Sequence, residues 1–249
     1  MIDHPETAQI PGLRKLWQEA FGDSEDFLDI FFAHGFHSSR CRCITESSNP
    51  VAALYWFDCS CSGKKIAYLY AVATARSHRG QGLCHRLMEN VHRLLAEQGY
   101  SGAILVPGEA SLFDFYGKMG YLTIPCASRF SAMAGENANA VACLTPAEYA
   151  IRRKALLPAN AVLQEGENLS FLSQICELYG GEGWVMAAAA EESTLTAMEF
   201  LGDSSRIPGI LKALNVVQGH FRSVGNEPFA MYLPLDAAEA PAYFGLPFD

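Results

Sequence analysis

The chain has 249 residues, of which 50% are hydrophobic and 18% are charged, and its formal net charge is −9. This length and composition are typical of a folded globular protein with one large or two small domains. They exclude a disordered chain and a miniprotein that depends on disulfides or metal ions for its stability. The negative charge disfavours nucleic acid and anionic lipid as partners, because both are polyanions.

The N-terminal residues and the lengths of the apolar runs indicate the compartment in which the protein is expected. The segment from Met1 to Glu6 has neither the basic nor the apolar stretch of a signal peptide. No later run approaches the roughly 18 to 20 apolar residues that span a bilayer. We therefore expect a cytoplasmic protein that does not enter a membrane, with its 8 cysteines reduced.

The chain is predicted to begin with two helices, because apolar residues recur at helical spacing on either side of Gly22. A Ser24 cap and acidic residues favour the start of the second helix. Helices are predicted over residues 13–21 and 27–32, and strands over residues 40–45, 51–57 and 66–74.

A second group of elements follows in the order helix, strand, helix, strand. The apolar stripe that begins at Leu83 predicts a helix that ends at Gly99. The next predicted elements are a strand at 103–106, a helix at 111–119 and an extended run at 121–130. Helices and strands in this mixed order predict an α+β fold.

Four cysteines form two C-x-C pairs, and four thiolates are a set that can hold zinc. The pairs are Cys41 with Cys43 and Cys59 with Cys61. Zinc ribbons prefer C-x2-C spacing, and the turn at residues 47–50 would leave the second pair beyond the paired strands. We therefore predict no metal site, with a zinc-binding interaction protein as the alternative, which chelation would unfold.

Small and polar residues near 131–143 predict a linker between two domains. The predicted domains are residues 1–132 and 143–249. The second domain opens on Thr145 as a helix cap, with Pro146 at the first helical position and Glu148 as the capping-box partner.

The second domain is predicted to repeat the order strand, strand, helix, strand of the first, which indicates a weak internal duplication. Helices are predicted at 169–179 and 207–215, and extended runs at 184–190, 195–201, 220–224 and 229–235. The aromatic C-terminal tail that ends at Asp249 is predicted to pack against the fold rather than remain free.

The segment from Val72 to Met88 passes from a strand through a glycine-containing turn into a helix. Such a junction directs unpaired N–H groups and the positive end of the helix dipole into one concavity, where anions bind. Gly80 and Gly82 let a phosphate approach the backbone, and Arg79 adds a positive charge. The phosphate motifs G-x-x-x-x-G-K-S/T and G-x-G-x-x-G are absent from the sequence.

The pattern Arg79-x-x-Gly82-x-Cys84 resembles the R/Q-x-x-G-x-G/A signature of the GNAT superfamily of N-acetyltransferases. The run from Phe115 to Tyr121 resembles the F-Y-x-x-x-G-F/Y run of many members. Cys84 departs from the usual Gly or Ala, but the Eis-like members also accept a larger residue there. The resemblance implies a mixed sheet flanked by helices, followed by a second, smaller GNAT-like α/β half without the cofactor motif.

The same resemblance implies an acetyl-CoA-dependent N-acetyltransferase in which a primary amine attacks the thioester directly. The backbone of Val72, Ala73 and Thr74 would line the pantetheine arm and receive the thioester carbonyl. The pyrophosphate would be bound by Arg79, Gly80, Gln81, Gly82, Leu83 and Cys84. Tyr116 would be the general acid that protonates the departing thiolate.

The sequence leaves the catalytic base open. Four carboxylates are candidates without a ranking, namely Glu46, Asp58, Glu109 and Asp114. The C-terminal carboxylate of Asp249 is a further candidate, because the chain end reaches the active site in Eis-like enzymes. His78 and His85 flank the turn and receive no role, and Tyr116 also fits a core aromatic with a satisfied hydroxyl.

Alternatives also remain for the function and for the second domain. A catalytically silent protein that binds acyl-CoA as a sensor would carry the same turn. At the matching junction of the second domain, Asp203 would repel a phosphate and Pro208 lacks an N–H. We therefore expect this domain to form a wall of the acceptor pocket or a homodimer surface. The expected acceptor is a small-molecule or peptide amine.

Overall fold

The computed structural model describes residues 2–248 and consists of two compact units. Unit 1 comprises Met1–Leu122 and Met231–Ala240, and unit 2 comprises Thr123–Ala230 and Pro241–Asp249. The division after Leu122 therefore lies before the predicted linker at 131–143. Part of that linker is strand. The domain boundaries given above stay a prediction.

Unit 1 combines a mixed sheet with helices. Its helices are α1 (Ile10–Phe21), α2 (Glu25–His34), α3 (Leu83–Glu97) and α4 (Ser111–Gly117). Its strands are β1 (Ile2–Asp3), β2 (Cys41–Glu46), β3 (Asn49–Cys61), β4 (Lys64–Thr74) and β5 (Gly102–Leu105). These elements confirm the predicted order of the first half.

The sheet of unit 1 has the order β1-β2-β3-β4-β5. Neighbours from β1 to β4 are antiparallel, whereas β4 and β5 are parallel. Met231–Pro234 returns from the end of the chain and pairs with β5 in the antiparallel sense. Cys59 and Cys61 lie beyond the β2 pairing, as expected, and continue the hairpin with β4.

Local chemistry sets the helix ends of unit 1. The Ser24 hydroxyl accepts a hydrogen bond from the Phe27 N–H at 3.2 Å and so caps α2. Gly22 ends α1 with φ of 78°, a left-handed conformation that glycine adopts without strain. The apolar face of α3 is buried in the core cluster of this unit, through Leu87, Met88 and Val91. Burial of one such side chain contributes about 1.5–3 kcal/mol.

Unit 2 contains the remaining elements. Its helices are α5 (Pro146–Leu156), α6 (Glu167–Ile175) and α7 (Ile207–Ala213). Its strands are β6 (Leu122–Met133, from Thr123 on), β7 (Ala142–Cys143), β8 (Glu177–Gly181), β9 (Trp184–Glu191), β10 (Thr194–Leu201) and β11 (Gln218–Pro234, as far as Ala230). The strand order is β11-β10-β9-β8-β7, with β6 paired to β11. The β10–β11 pair is parallel.

The helix predicted at 169–179 is wrong over its last four residues. The α6 helix ends at Ile175, and Glu177–Gly181 pairs with β9 as an antiparallel hairpin. The burial of this segment alternates, as a strand requires. Pairing with β9, a contact outside the helical window, therefore overrides the helical pattern.

The two extended runs predicted at 220–224 and 229–235 form one continuous strand, β11. Gly225 explains why the strand does not break between them. A Cβ at this position would lie 2.4 Å from the Ala127 carbonyl oxygen of β6. The close approach of the two backbones is thus possible only at glycine, which keeps the strand paired between the two predicted runs.

The start of α5 and the chain end agree with expectation. Thr145 and Glu148 form a reciprocal capping box. The aromatic tail is packed within unit 2, because Tyr243, Phe244 and Phe248 are buried and the Val162 N–H donates to the Tyr243 carbonyl at 2.8 Å. The carboxylate of Asp249, a candidate base, lies outside the described residues.

None of the helices within residues 2–248 is both long enough and apolar enough to span a membrane. In the same range, His, Cys, Asp and Glu side chains form no group of three or more that can hold a metal ion.

Replacing Gly102 with alanine should destabilise the protein by about 1–3 kcal/mol, the usual cost of overpacking. A Cβ there would lie 2.2 Å from the buried ring of Tyr232, whose hydroxyl donates to the Ser101 carbonyl at 3.1 Å. Gly108→Ala is the matched control, since a Cβ there meets nothing within 4 Å. Urea unfolding measures both, and equal free energies of unfolding would contradict the predicted clash.

Candidate active site

The fourth strand carries a bulge on the side that faces β3. In the register of the two strands, Leu54 alone stands opposite Ala71 and Val72. Ala71 has φ of 49°, in the left-handed region that costs a non-glycine residue about 1–2 kcal/mol. A bulge turns backbone groups out of the ladder. The stretch that ends at Thr74 can therefore present backbone N–H groups to a ligand.

The bulge lies next to a place where parallel strands stop pairing. The β4–β5 pairing ends at Tyr68 and Ile104, whereas β4 continues to Thr74. The Thr74 hydroxyl oxygen is buried and, among the described residues, has no hydrogen-bond partner. A strand that extends beyond its parallel neighbour has backbone groups without a strand partner on that side, and a cleft forms next to them. Val72, Ala73 and Thr74 all belong to this stretch.

The turn after β4 leads into an uncapped helix. Gly80 and Gly82 have φ of 75° and 73°, and a Cβ on either would meet nothing within 4 Å. No side chain caps α3, and its first turn holds no acidic residue. The N–H groups of Leu83 and Cys84 therefore lack an intrahelical partner, and the positive end of the helix dipole is not neutralised locally.

Exposed polar side chains surround this helix start. The Arg79 Nε donates to the Thr74 carbonyl at 3.2 Å, which ties the arginine to the end of β4. The Gln81 amide donates to the Ser77 carbonyl at 3.4 Å. Because the Arg79 side chain is exposed, the rest of its guanidinium can reach an anion. The loop thus combines a charge, open backbone and a helix dipole.

Cys84 follows as a partly buried thiol in the first turn of α3. Burial raises its pKa to about 11, so the thiol is protonated near neutral pH. Cys84 and Val72 both pack against the core cluster that contains Tyr116. Three residues that are distant in sequence therefore share one region of unit 1.

Tyr116 lies in α4 with only 7% of its surface exposed. The ring centroids of Phe115 and Tyr121 are 5.3 and 5.7 Å from its own. Burial raises the pKa of Tyr116 well above its ordinary value, and the nearby Cys84 shifts it in the same direction. The phenol is therefore neutral near pH 7 and able to donate a hydrogen bond. Within residues 2–248, none of the hydrogen bonds uses its hydroxyl.

Two candidate bases take part in polar contacts. Glu46 lies 3.1 Å from the His78 Nε2, and the other ring nitrogen of His78 is 2.8 Å from the Ser77 hydroxyl. Asp58 accepts from the Tyr100 hydroxyl and lies 3.4 Å from the Lys65 ammonium.

The other candidates lie around α4. Glu109 accepts from the Ser111 hydroxyl just before this helix, and Asp114 is exposed in its first turn. His85 pairs on the surface with Glu89 at 3.1 Å. The base thus stays unassigned among the described carboxylates. Ala71 and the Thr74 hydroxyl are the features that sequence reasoning missed, since neither residue type signals a bulge or an unpaired side chain.

Known proteins resemble this chain in sequence and in fold. Residues 2–124 match the model of the acetyltransferase (GNAT) domain. No curated protein matches the sequence. The fold resembles a GCN5-related N-acetyltransferase from Kribbella flavida at 18% identity, with a TM-score of 0.70 over 95% of this chain and 71% of that one.

Two further structures also cover nearly all or all of the chain. Eis1 from Mycobacterium abscessus has 10% identity and a TM-score of 0.68 over 95% of this chain and 74% of its own. A putative acetyltransferase from Pyrococcus horikoshii has 14% identity and a TM-score of 0.70 over 100% of this chain and 94% of its own. Likeness at these identities shows the fold, which confirms the predicted α+β, GNAT-like architecture. Residues 2–124 of the chain therefore belong to the GNAT acetyltransferase domain family.

Proposed function

We propose that the protein transfers an acetyl group from acetyl-CoA to a primary amine by direct attack. The observation that carries this proposal is the grouping, within unit 1, of a bulged β4, an uncapped α3 and a buried, neutral Tyr116. The bulged strand and the uncapped helix are suited to bind the thioester and the phosphates of acetyl-CoA. The neutral tyrosine is suited to protonate the thiolate that leaves.

The pyrophosphate of the cofactor is placed at the start of α3. Backbone N–H groups from Gly80 to Cys84 would donate to an anion bound there, and the helix dipole favours negative charge. Gly80 and Gly82 have no side chain to obstruct a phosphate. Arg79, held to β4 through the Thr74 carbonyl, adds a charge-assisted contact.

We place the pantetheine arm along the part of β4 that extends beyond its pairing with β5. This arm carries amide groups, which can pair with strand backbone in the manner of an added strand. Val72, Ala73 and Thr74 supply that backbone. The arm then leads the thioester from the phosphates towards the bulge and Tyr116.

The chemical step follows from these positions. The lone pair of a neutral amine attacks the thioester carbonyl carbon, and an N–H of the bulged strand donates to the oxygen as it becomes negative. The carbon–sulfur bond then breaks. Tyr116 gives its proton to the thiolate, solvent restores the phenol, and the proton of the amine leaves to solvent or to a base.

Cys84 is not proposed as an acyl carrier. The thiolate is the nucleophilic form of cysteine, and a pKa of about 11 leaves little of it near pH 7. Direct attack by the amine is therefore the simpler route. The net charge of −9 supports a cationic acceptor such as a polyamine, an aminoglycoside or a lysine side chain.

Acetyl-CoA should raise the melting temperature of the wild type and not that of an Arg79→Glu, Gly82→Asp variant. A ligand present at a hundred times its Kd stabilises the folded state by about 2.7 kcal/mol. Both substitutions place an acidic side chain where phosphates are proposed to bind. A thermal-shift titration measures the effect.

Arg93→Glu is the control for the reversed arginine charge, since Arg93 is exposed and lies farther along α3. This control should show the same rise in melting temperature with acetyl-CoA as the wild type. A shift that the double variant retains, or no shift in the wild type, would reject the cofactor site. Cofactor binding without turnover of any amine would favour the silent acyl-CoA sensor instead.

A further inference from the structure

Unit 2 contains a second place where parallel strands stop pairing. The β10–β11 pairing ends at Ala197 and Phe221, although both strands continue. The register of β10 with β9 also shifts between Ala197 and Glu199, so β10 bulges at this point. The same two features, a bulge and an ended parallel pair, mark β4 in unit 1.

A cavity of about 360 Å³ that is widely open to solvent lies at this place. Its lining comes from three neighbouring strands of unit 2, and its polar residues are Arg129, Ser131, Thr196, His220 and Arg222. The volume is within the range of small-molecule sites. The cavity therefore has room for a metabolite-sized ligand.

The charge of the lining is unusual for this chain. Arg129 and Arg222 are cationic, and no lining residue is acidic, whereas the whole chain has a net charge of −9. Glu227 approaches Arg129 at 3.4 Å, but both side chains are about half exposed. Solvent screens such a pair strongly, so the cavity keeps an excess of positive charge.

Aromatic contacts hold the two arginines in place. The guanidinium carbons of Arg129 and Arg222 lie 5.4 and 4.6 Å from the ring centroid of Phe229. Two like charges beside one ring repel each other, and an anion between them relieves that repulsion. A guanidinium held on an aromatic face also loses little freedom when it binds a carboxylate or phosphate.

Polar groups beside the arginines complete the lining. The Ser131 hydroxyl and the His220 Nδ1 are 2.9 Å apart, which fixes the histidine ring. Thr196 is the register partner of His220 on β10. The cavity thus offers hydroxyl and imidazole groups next to two guanidinium groups, a donor set suited to oxyanions.

The cofactor of unit 1 does not fit the junction that follows β10. Asp203 accepts from the Ser205 N–H at 3.0 Å and caps the short 3-10 helix there. Pro208 lies in the first turn of α7 and has no N–H for a phosphate. We propose that the cavity instead binds a small organic anion through its carboxylate or phosphate group. This proposal does not rest on the activity of unit 1.

Isothermal titration with benzoate and phenyl phosphate tests the site, with benzyl alcohol as the uncharged probe. We expect saturable binding of at least one anion and none of the alcohol. Arg222→Gln should weaken that binding about tenfold or more, because a charge-assisted contact is lost. Arg152→Gln, an exposed position on α5, makes the same change in net charge and should leave the affinity within about twofold.

Preference for benzoate assigns a carboxylate ligand, and preference for phenyl phosphate assigns a phosphate ligand. Equal weakening in the two variants, absence of saturable binding, or equal binding of the alcohol overturns the proposal. Phenyl phosphate binding that survives Arg222→Gln but is lost in Gly82→Asp belongs to the α3 loop and counts against the cavity. If Arg222→Gln does not fold by circular dichroism, His220→Gln tests the same lining.

Discussion

Tyr116→Phe should lower kcat by about 10²–10⁴-fold, the usual contribution of a positioned acid. The variant keeps the ring that packs against Phe115 and Tyr121 and loses only the hydroxyl. The dissociation constant of acetyl-CoA should change by no more than about threefold, because the hydroxyl is proposed to act on the leaving sulfur rather than on the phosphates.

The pKa of Tyr116 determines the expected pH profile. Burial and then Cys84 raise this pKa above its ordinary value, so the phenol stays protonated up to a pH higher than for a free tyrosine. The wild-type rate should therefore show no alkaline loss from Tyr116 below about pH 10. It should rise with pH while the acceptor amine loses its proton, since only the neutral amine attacks.

Tyr121→Phe is the matched control for the missing hydroxyl. The Tyr121 oxygen lies 2.8 Å from the His92 Nε2, in a partly buried contact that has no proposed part in catalysis. Initial rates of thiol release, measured with one amine that is turned over, compare the two variants. Equal kcat values for Tyr116→Phe and the wild type would make Tyr116 a core aromatic. If Tyr116→Phe loses both acetyl-CoA binding and turnover, Tyr116 has a structural role.

The parts of unit 1 that the sequence predicts are governed by local chemistry. The helix after Gly82 follows from a strong apolar period, and the Ser24 cap from a side chain next to the N–H groups that it serves. The loop that we propose to bind phosphate is also a local feature, because glycine, arginine and a helix start are adjacent in the chain. Such features need no knowledge of distant contacts.

The features that the sequence misses depend on partners distant in the chain. The bulge at Ala71 arises from the register with β3, and alanine gives no sign of it. The strand β8 exists because β9 pairs with it. The cationic cavity unites Arg129 with Arg222, which are far apart in sequence and belong to no motif.

Arg153→Met should destabilise the protein by about 3–5 kcal/mol, as expected when one partner of a buried ion pair is removed. Arg153 is 2% exposed and Glu199 is fully buried. The guanidinium donates two hydrogen bonds to the carboxylate, at 2.6 Å from Nε and 2.9 Å from Nη2. Burial alone lowers the pKa of Arg153, but the Glu199 charge outweighs it and the pKa stays above its ordinary value.

The loss of Arg153 would leave a carboxylate without a cation in the interior of unit 2. The hydroxyls of Tyr149 and Tyr243 donate to Glu199 at 3.3 and 3.0 Å, but neutral donors do not offset the desolvation of a charge. There is also little space to rearrange. A Cβ at Gly245 would lie 1.9 Å from a Glu199 oxygen, so the C-terminal segment closes directly over the pair.

Urea unfolding followed by circular dichroism separates charge from packing. Arg152→Met removes an exposed arginine from the same helix and should change the free energy of unfolding by less than about 0.5 kcal/mol. The double variant Arg153→Met, Glu199→Met removes both charges and should recover part of the loss, because an apolar pair of similar volume replaces the ion pair at little cost, while the buried hydroxyls of Tyr149 and Tyr243 lose their acceptor. If the double variant is as unstable as Arg153→Met alone, the cost comes from the shape of the site beneath Tyr243 rather than from the unpaired carboxylate.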